Sequence, residues 1–271
     1  MGQEKVPIPG VRSVIAVGSG KGGVGKTTVA VNLAITLEKL GHKVGLLDAD
    51  MYGPNVPLMM GIRAQPRASG DRILPLERFG VRLMSMGFLH PGDAPIIWRG
   101  PMLHGAIQQF LRRVEWGELD YLVIDLPPGT GDVQLSLAQT TPLTGAVVVS
   151  TPSDVSLEDA RKAIHMFDQV RVPVLGVVEN MSYLVCPHCN ERIDVFSHGG
   201  AHRTAAQMNV PFLGELALDP EVRIGGDTGK PVALRDEKDP RAAAYIELAR
   251  AVIGRVEEAR GITGPKIEIE D

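Results

Sequence analysis

A glycine-rich segment near the start of the chain constrains its fold more than any other feature. Residues 18–28 read GSGKGGVGKTT, in which Gly20, Gly25, Lys26 and Thr27 satisfy the spacing G-x-x-x-x-G-K-[ST] of a phosphate-binding loop. Glycines let successive backbone N–H groups converge on phosphate oxygens, while Lys26 offers a charge to the β- and γ-phosphates and Thr27 a hydroxyl to Mg²⁺. A β-branched run precedes the loop and a helical pattern follows it, so a helix N-terminus would face the phosphates. The segment therefore predicts a nucleotide-binding strand–loop–helix unit.

The expected nucleotide contacts run from the second glycine of this loop onward: Gly20, Lys21, Gly22, Gly23, Val24, Gly25, Lys26, Thr27 and Thr28. Two alternative interpretations use the same glycines. The spacing of Gly18, Gly20 and Gly23 also matches G-x-G-x-x-G, the dinucleotide fingerprint, but that interpretation leaves the lysine and the threonine unexplained. The other alternative is a glycine-rich turn that binds nothing.

Acidic side chains follow two of the predicted strands. Asp48 and Asp50 come at the carboxyl end of one strand, and Asp125 ends another, strongly apolar strand. Because open α/β sheets bind ligands at the carboxyl ends of their strands, we expect the first two acids to position Mg²⁺ and water rather than to be solvated loop acids. An acid that ends an apolar strand fits the Walker B position, which holds the Mg²⁺ shell opposite Thr27. The turn at 127–131, Pro-Pro-Gly-Thr-Gly, is predicted to be a switch that senses the γ-phosphate.

Strands alternate with helices along the sequence, which predicts an α/β fold with a doubly wound, mostly parallel sheet. The predicted strands are 14–17, 43–47, 81–86, 120–125, 145–150, 173–178 and 210–216, and helices are predicted to begin near 26, 98, 156 and 240. Residues 62–80 are polar and aperiodic, which predicts an irregular surface excursion. We expect one P-loop ATPase domain over 13–260, with a cysteine loop at 183–190, between a lead-in at 1–12 and an acidic tail at 261–271.

Composition argues against several classes of function. The net charge is −4 over 271 residues, so no overall basic field favours nucleic acid as a partner. No apolar run approaches the length of a membrane span, and the first residues lack the apolar stretch of a signal peptide. We therefore expect a cytoplasmic protein with neither nucleic acid nor membrane as a partner.

The only cysteines of the chain, Cys186 and Cys189, form a C-x-x-C pair. In a reducing compartment this spacing indicates metal or redox chemistry rather than a structural disulfide. A thioredoxin-like redox pair would follow the first strand of its fold, whereas this pair comes late. A zinc site within one chain could add His198 and His202 in the pattern C-x₂-C-x₈-H-x₃-H. The remaining option is metal held between chains, because two subunits would supply the four thiolates that iron–sulfur clusters favour. The spacing itself does not separate iron–sulfur from zinc.

Six segments together carry a family resemblance: GKGGVGKTT, DADMYGPN, WRGPM, DYLVIDLPPGTGD, VENMSY and CPHC. With them, the chain from about residue 11 to 260 resembles the Mrp (ApbC) family of iron–sulfur cluster carrier ATPases, a branch of the MinD/ParA-like ATPases with a deviant Walker A motif. The resemblance implies a homodimer whose two C-x-x-C motifs hold one bridging 4Fe–4S cluster. It also implies slow ATP hydrolysis coupled to cluster transfer, with a cluster scaffold and apo iron–sulfur proteins as partners. Many members carry a small extra domain before the ATPase, whereas the glycine loop of this chain begins at residue 18.

Matching the family's motifs to this chain assigns the remaining roles. Lys21 would be the signature lysine, which reaches across a nucleotide-sandwich dimer to the partner's ATP. Asp50 would orient the attacking water, with Asp48 supporting the Mg²⁺ shell, and Asn180 would read the adenine. The resemblance thus implies Lys21, Lys26 and Asp50 as the catalytic residues.

Two other functions remain as alternatives at this point. One is a spatial regulator, an ATPase of the partition or septum-positioning type that binds DNA or membrane. Such proteins need a basic surface or a basic amphipathic helix, whereas residues 266–271 carry a net negative charge. Proteins of this type also have no use for a C-x-x-C pair. The other is a zinc-stabilised nucleotide switch that carries no cluster.

Overall fold

The computed structural model describes residues 6–51, 53–89 and 100–261 of the chain. The strands are β1 (Val11–Gly18), β2 (Val44–Asp48), β3 (Arg67–Ser69), β4 (Arg72–Leu74), β5 (Leu76–Arg78), β6 (Val81–Ser85), β7 (Leu119–Asp125), β8 (Gly145–Ser150), β9 (Val174–Glu179), β10 (Leu184–Val185), β11 (Arg192–Ile193) and β12 (Phe212–Glu215). The helices are α1 (Lys26–Lys39), α2 (Val56–Met59), α3 (Gly100–Arg113), α4 (Asp132–Thr140), α5 (Asp154–Gln169), α6 (Gly200–Gln207), α7 (Pro220–Asp227) and α8 (Pro240–Ala259).

The central sheet has the strand order β12-β9-β8-β1-β7-β2-β6-β5. Every pairing in it is parallel except that of β5 with β6. The predicted doubly wound, mostly parallel α/β sheet is therefore confirmed. β7 lies between β1 and β2, and in this register Asp125 is the partner of both Val17 and Asp48. The glycine loop and the two acid-bearing strand ends consequently meet at one edge of the sheet.

Helices cover both faces of the sheet, and the alternation of side chains along β1 explains how. Ile15 and Val17 belong to the core shared with α1 and α8, whereas Val14 and Ala16 belong to the opposite core, shared with α3 to α6. Successive side chains of a strand point to opposite faces, so a continuously apolar strand serves two cores at once. This burial on both faces fixes the position of β1 and hence of the loop that follows it.

The expectation of an irregular excursion over 62–80 is wrong. β3 and β4 form an antiparallel hairpin, and β5 adds an antiparallel edge to β6. A two-residue turn joins β5 to β6. Phe79 and Gly80, the two residues of that turn, both have the positive φ that tight hairpin turns need, 52° and 71°. Strands of only three residues, exposed over most of their length, leave too little alternation for the sequence to predict them.

Other helices and strands begin a few residues away from their predicted limits. β1 begins at Val11, inside the predicted lead-in, and α5 begins two residues before the predicted start. The helix predicted to begin near 98 begins at Gly100 in the described part, while residues 98–99 lie outside it, as does the acidic tail beyond Gly261.

Candidate functional site

The glycine loop leads directly from β1 into α1. Gly25 occupies the N-cap position of α1 with a φ of 83°, a left-handed conformation that favours glycine. A Cβ on Gly25 would collide with the side-chain amide of Asn180, and a Cβ on Gly20 would collide with the backbone carbonyl of Asp159 in α5. Close packing therefore requires glycine at both positions, and at Gly25 the backbone conformation requires it as well.

Lys26, Thr27 and Asp125 form one buried cluster at the start of α1. The Lys26 ammonium lies 2.6 Å from Oδ1 of Asp125, and the Thr27 hydroxyl donates to Oδ2 of the same carboxylate at 2.7 Å. Asp50 lies close by, with its Oδ2 3.6 Å from the Lys26 ammonium. Burial raises the pKa of Asp125 above its usual range, although the adjacent ammonium opposes that shift. The structure therefore brings together the predicted phosphate lysine, the predicted Mg²⁺ hydroxyl and the predicted Walker B acid.

Asp48 is held differently from the other two acids. Its carboxylate accepts hydrogen bonds from the Ser85 hydroxyl at 2.8 Å and from the backbone N–H groups of Asp50 and Val56 at 3.2 and 3.3 Å. Burial, reinforced by the charge of Asp125, raises its pKa to about 8. Asp48 thus organises the segment that carries Asp50, and it holds a proton more readily than an ordinary carboxyl group.

The arrangement of charges in this cluster suits a divalent cation whose coordination shell is completed by bound phosphates. Three carboxylates (those of Asp48, Asp50 and Asp125) accompany a single ammonium in this cluster, and Thr27 adds a neutral oxygen. Mg²⁺ usually takes one or two carboxylates and fills its shell with water and substrate phosphates. In 6–51, 53–89 and 100–261, no group of three or more His, Cys, Asp or Glu residues could hold a metal by itself. The donors present therefore fit Mg²⁺ that arrives with a nucleotide.

Asn180 follows β9 and contacts the loop directly. Its side-chain amide donates to the Val24 carbonyl at 2.8 Å. Beside it lies a cavity of about 430 Å³, within the size range of small-molecule sites. The lining includes Thr27, Thr28, Asn55, Met59, Asn180, Met181, Leu218, Asp219 and Arg223. The sequence analysis assigned roles only to the threonines and Asn180; Asn55 and Met181 lie in quoted motifs without an assigned role, and the remaining residues belong to no motif.

Glu179 is a functional candidate that sequence reasoning missed. Its fully buried carboxylate accepts the Ser182 hydroxyl at 2.7 Å and the Ala201 backbone N–H at 2.5 Å, at the start of α6. It precedes Asn180 in the chain, so the same short segment contacts the glycine loop and holds α6. Two signals in the sequence could have identified it: its charge at the end of an apolar strand and its place in the VENMSY segment.

The cysteine pair lies at the turn of a small ribbon made by β10 and β11. Backbone hydrogen bonds of 2.9 Å join Cys186 to Glu191 and Asn190 to Cys186 across that turn. Hydrogen bonds from the backbone N–H groups of Cys189 and His188 lower the pKa of the Cys186 thiol. Both thiols are free, and Cys189 is exposed. The ribbon therefore presents two accessible sulfur ligands, one of them predisposed to the thiolate form that binds metal.

The structure does not bring the histidines of the alternative zinc site to the cysteines. His198 lies 3.2 Å from the Asp194 carboxylate and is 67% exposed, while the ring of His202 packs edge-on against Phe212 at 5.2 Å. The within-chain zinc site is thus not assembled in the part of the chain that the structure describes. α6 begins at Gly200, between the two histidines, and it places the ring of His202 against Phe212 of β12.

Lys21 lies half-buried at the tip of the loop, where its carbonyl accepts the Ser19 hydroxyl at 2.9 Å. The predicted switch segment is tied to the loop by the Gly129 N–H, which donates to the Ser19 carbonyl at 2.9 Å.

As for membrane association, no described helix has both the length and the apolar character needed to span a bilayer.

Comparisons with known proteins agree on one family. A family model described as ParA, NUBPL iron-transfer P-loop NTPase, matches residues 10–253. An iron–sulfur cluster carrier protein of Deinococcus radiodurans is 54% identical over 251 residues, covering 92% of this chain and 71% of the relative. A nucleotide-binding protein of Archaeoglobus fulgidus, solved in complex with ADP and with cobalt found by PIXE, is 40% identical with a TM-score of 0.75, covering 86% and 93% of the two chains. The cell division ATPase MinD of Pyrococcus furiosus, 23% identical with a TM-score of 0.66 over 89% of this chain and 98% of its own, shares the fold alone.

Proposed function

The chain belongs to the NUBPL iron-transfer family of P-loop NTPases, and on that premise we propose that it is an ATP-dependent carrier of a 4Fe–4S cluster. The cluster is its cargo, received from a scaffold and delivered to apo iron–sulfur proteins in the cytoplasm. The observation that carries the proposal is the accessible C-x-x-C ribbon, which begins a few residues after Asn180, whose side chain contacts the phosphate-binding loop.

The number of available thiolates supports a cargo held between two copies of the chain. Cys186 and Cys189 are the only cysteines in the sequence, and a 4Fe–4S cluster is held by four thiolates. Two thiolates from each of two subunits complete the set, and a two-fold axis through the cluster makes both subunits equivalent. The lowered pKa of the Cys186 thiol favours ligation at neutral pH.

Apolar surface around the cysteines supports a protein partner there. Val185, Ile193, Val195 and Phe196 are large hydrophobic side chains that are 45–50% exposed, all within a few residues of the thiols. Such a concentration of exposed apolar side chains is typical of interaction surfaces. The same surface would contact the second copy in the cluster-bound dimer.

The nucleotide site provides the energy-dependent step. When ATP binds, the Lys26 ammonium would exchange the Asp125 carboxylate for phosphate oxygens, leaving that carboxylate and the Thr27 hydroxyl to hold Mg²⁺. The bound ion would neutralise charge on the β- and γ-phosphates. Asp50, anchored next to Asp48, would orient the attacking water, and Lys21 of a second copy would stabilise charge that develops on the γ-phosphate.

A short covalent path would couple the two sites. Asn180 contacts the loop, Glu179 fixes Ser182 and α6, and Cys186 follows only a few residues later. In addition, the Ser182 N–H donates to the Leu216 carbonyl at 2.9 Å, and the next two residues, Ala217 and Leu218, line the cavity beside Asn180. A shift of Asn180 on nucleotide binding would therefore reach the cysteine ribbon without crossing the core.

The test is anaerobic reconstitution with iron and sulfide, followed by transfer to an apo-ferredoxin. We expect a broad visible thiolate-to-iron absorption in the wild type and its loss in Cys186→Ser and in Cys189→Ser, with nucleotide binding retained. His188→Ala, which changes a residue between the cysteines that is not a thiolate ligand, is the matched control and should keep the absorption. Colourless protein with one zinc per subunit that resists iron and sulfide would contradict the carrier function and favour the zinc-stabilised switch.

A further inference from the structure

Gln134, in the first turn of α4, has an amide that no partner satisfies. The side chain is 1% exposed, and within the described residues neither Oε1 nor Nε2 makes a hydrogen bond. Nearly all buried polar groups in proteins are hydrogen-bonded, because an unpaired one loses its hydration without compensation. The nucleotide site described above does not explain why both polar atoms of this buried amide are unpaired.

The position of this amide ties it to the phosphate-binding loop. A Cβ on Gly18, the first residue of the loop, would lie 2.8 Å from Nε2 of Gln134 and 3.0 Å from the ring of Phe167. The amide thus lies directly behind the point where β1 turns into the loop, between that backbone and the α5 core. A leucine or methionine would fill the same apolar space with no unpaired polar atom.

The helix that carries Gln134 begins where the predicted switch ends. Residues 127–131 connect Asp125 to α4, and the Gly129 N–H bonds to Ser19 in the loop. Because Asp125 pairs with Lys26 in this arrangement, any exchange of Lys26 onto phosphates changes the partners of the strand end from which the switch starts. A small displacement of α4 would then carry the amide along the backbone of the loop.

We propose that Gln134 is a positioning residue of the nucleotide switch. Its amide is unpaired while Lys26 pairs with Asp125, and it hydrogen-bonds the backbone of the 18–25 loop once nucleotide moves α4. These hydrogen bonds stabilise the nucleotide-bound arrangement. The unpaired amide therefore destabilises the nucleotide-free arrangement alone. The inference rests on the proposed use of ATP.

The experiment compares Gln134→Met, close in length and shape, with the wild-type full-length chain. Without nucleotide, the variant should melt at a temperature higher by about 2–4 °C, because the unpaired amide is gone. Its affinity for a magnesium complex of a non-hydrolysable ATP analogue should fall about tenfold, and its KM for ATP should rise more than its kcat falls. Gln139→Leu, an exposed glutamine on the same helix, is the matched control and should change neither quantity.

The outcomes separate the inference from the proposed function. A variant that melts lower than the wild type without nucleotide would mean that the amide has an ordered partner, such as water, and would overturn the inference. An analogue affinity within twofold of the wild type would overturn it as well. If Gln134→Met does not fold, Gln134→Leu offers the same comparison with a second apolar shape. Failure of the wild type itself to bind the analogue would refute the proposed function instead.

Discussion

Replacing Asp48 with asparagine should remove a pH-dependent loss of stability. Burial and the neighbouring Asp125 raise the pKa of Asp48 in the folded chain to about 8, against 3.8 for an ordinary aspartate. A group whose folded pKa is raised contributes its stability in full below the unfolded pKa and loses it as the pH rises through the folded pKa. The wild type should therefore lose stability between pH 4 and pH 8 through this carboxyl group.

The size of the effect follows from linkage. Between pH 6 and pH 9, a carboxyl group with a folded pKa of about 8 costs roughly 2–3 kcal/mol of unfolding free energy, at 1.36 kcal/mol per pKa unit. For a chain of this size, that corresponds to roughly 5–10 °C in melting temperature. Asp48→Asn keeps an oxygen acceptor for the Asp50 N–H but cannot ionise, so its stability relative to the wild type should increase by that amount over this pH range.

Thermal unfolding at pH 6 and at pH 9, in a buffer without divalent cations or nucleotide, measures this difference directly. The subtraction cancels every group that titrates equally in both proteins. Asp71→Asn, on the exposed turn of the β3–β4 hairpin, is the matched control and should follow the wild type at both pH values. A difference between Asp48→Asn and wild type that is the same at pH 6 and pH 9 would refute the reasoning.

Four further substitutions test the nucleotide site and the Glu179 carboxylate beside it. Lys26→Ala should abolish ATP binding by calorimetry, whereas Lys21→Ala should keep most binding and lose phosphate release; an equal loss of binding in both would contradict their separate roles. Asp50→Ala should retain ATP and accumulate a long-lived bound state, and turnover within about threefold of wild type, a barrier change of only ~0.7 kcal/mol, would rule out a catalytic role. Glu179→Leu should lower the unfolding free energy by about 2 kcal/mol, because the Ser182 hydroxyl and the Ala201 N–H would both lose their acceptor; an unchanged melting temperature would show that the carboxylate is not required there.

The sequence alone predicts those parts of the fold whose residues are buried on both faces. β7 and β8 read as continuous apolar runs because each packs against helices on both sides, and their predicted limits differ from the observed ones by at most one residue. The glycine loop is equally predictable, since close packing and left-handed backbone dictate glycine at Gly25. The residues of a segment are therefore enough to predict its structure where both of its faces are buried or where its backbone conformation requires glycine.

The remainder depends on contacts between distant segments. The Asn180 contact with Val24 joins residues 156 positions apart, and it exists because β9 lies two strands from β1. Asp48 was expected to support the Mg²⁺ shell, and the hydrogen bonds that its carboxylate accepts from Ser85 in β6 and from Val56 at the start of α2 are revealed by no motif. The unpaired amide of Gln134 is visible only when the packing behind Gly18 is known.

Native mass spectrometry of the anaerobically reconstituted protein tests the central claim most directly, because it counts subunits, iron and sulfide in one particle. The account predicts a dimer that carries a single 4Fe–4S cluster, and a monomer without metal when either Cys186 or Cys189 is serine. A cluster bound to a single subunit, or a dimer that holds one zinc ion per subunit and no sulfide, would contradict it.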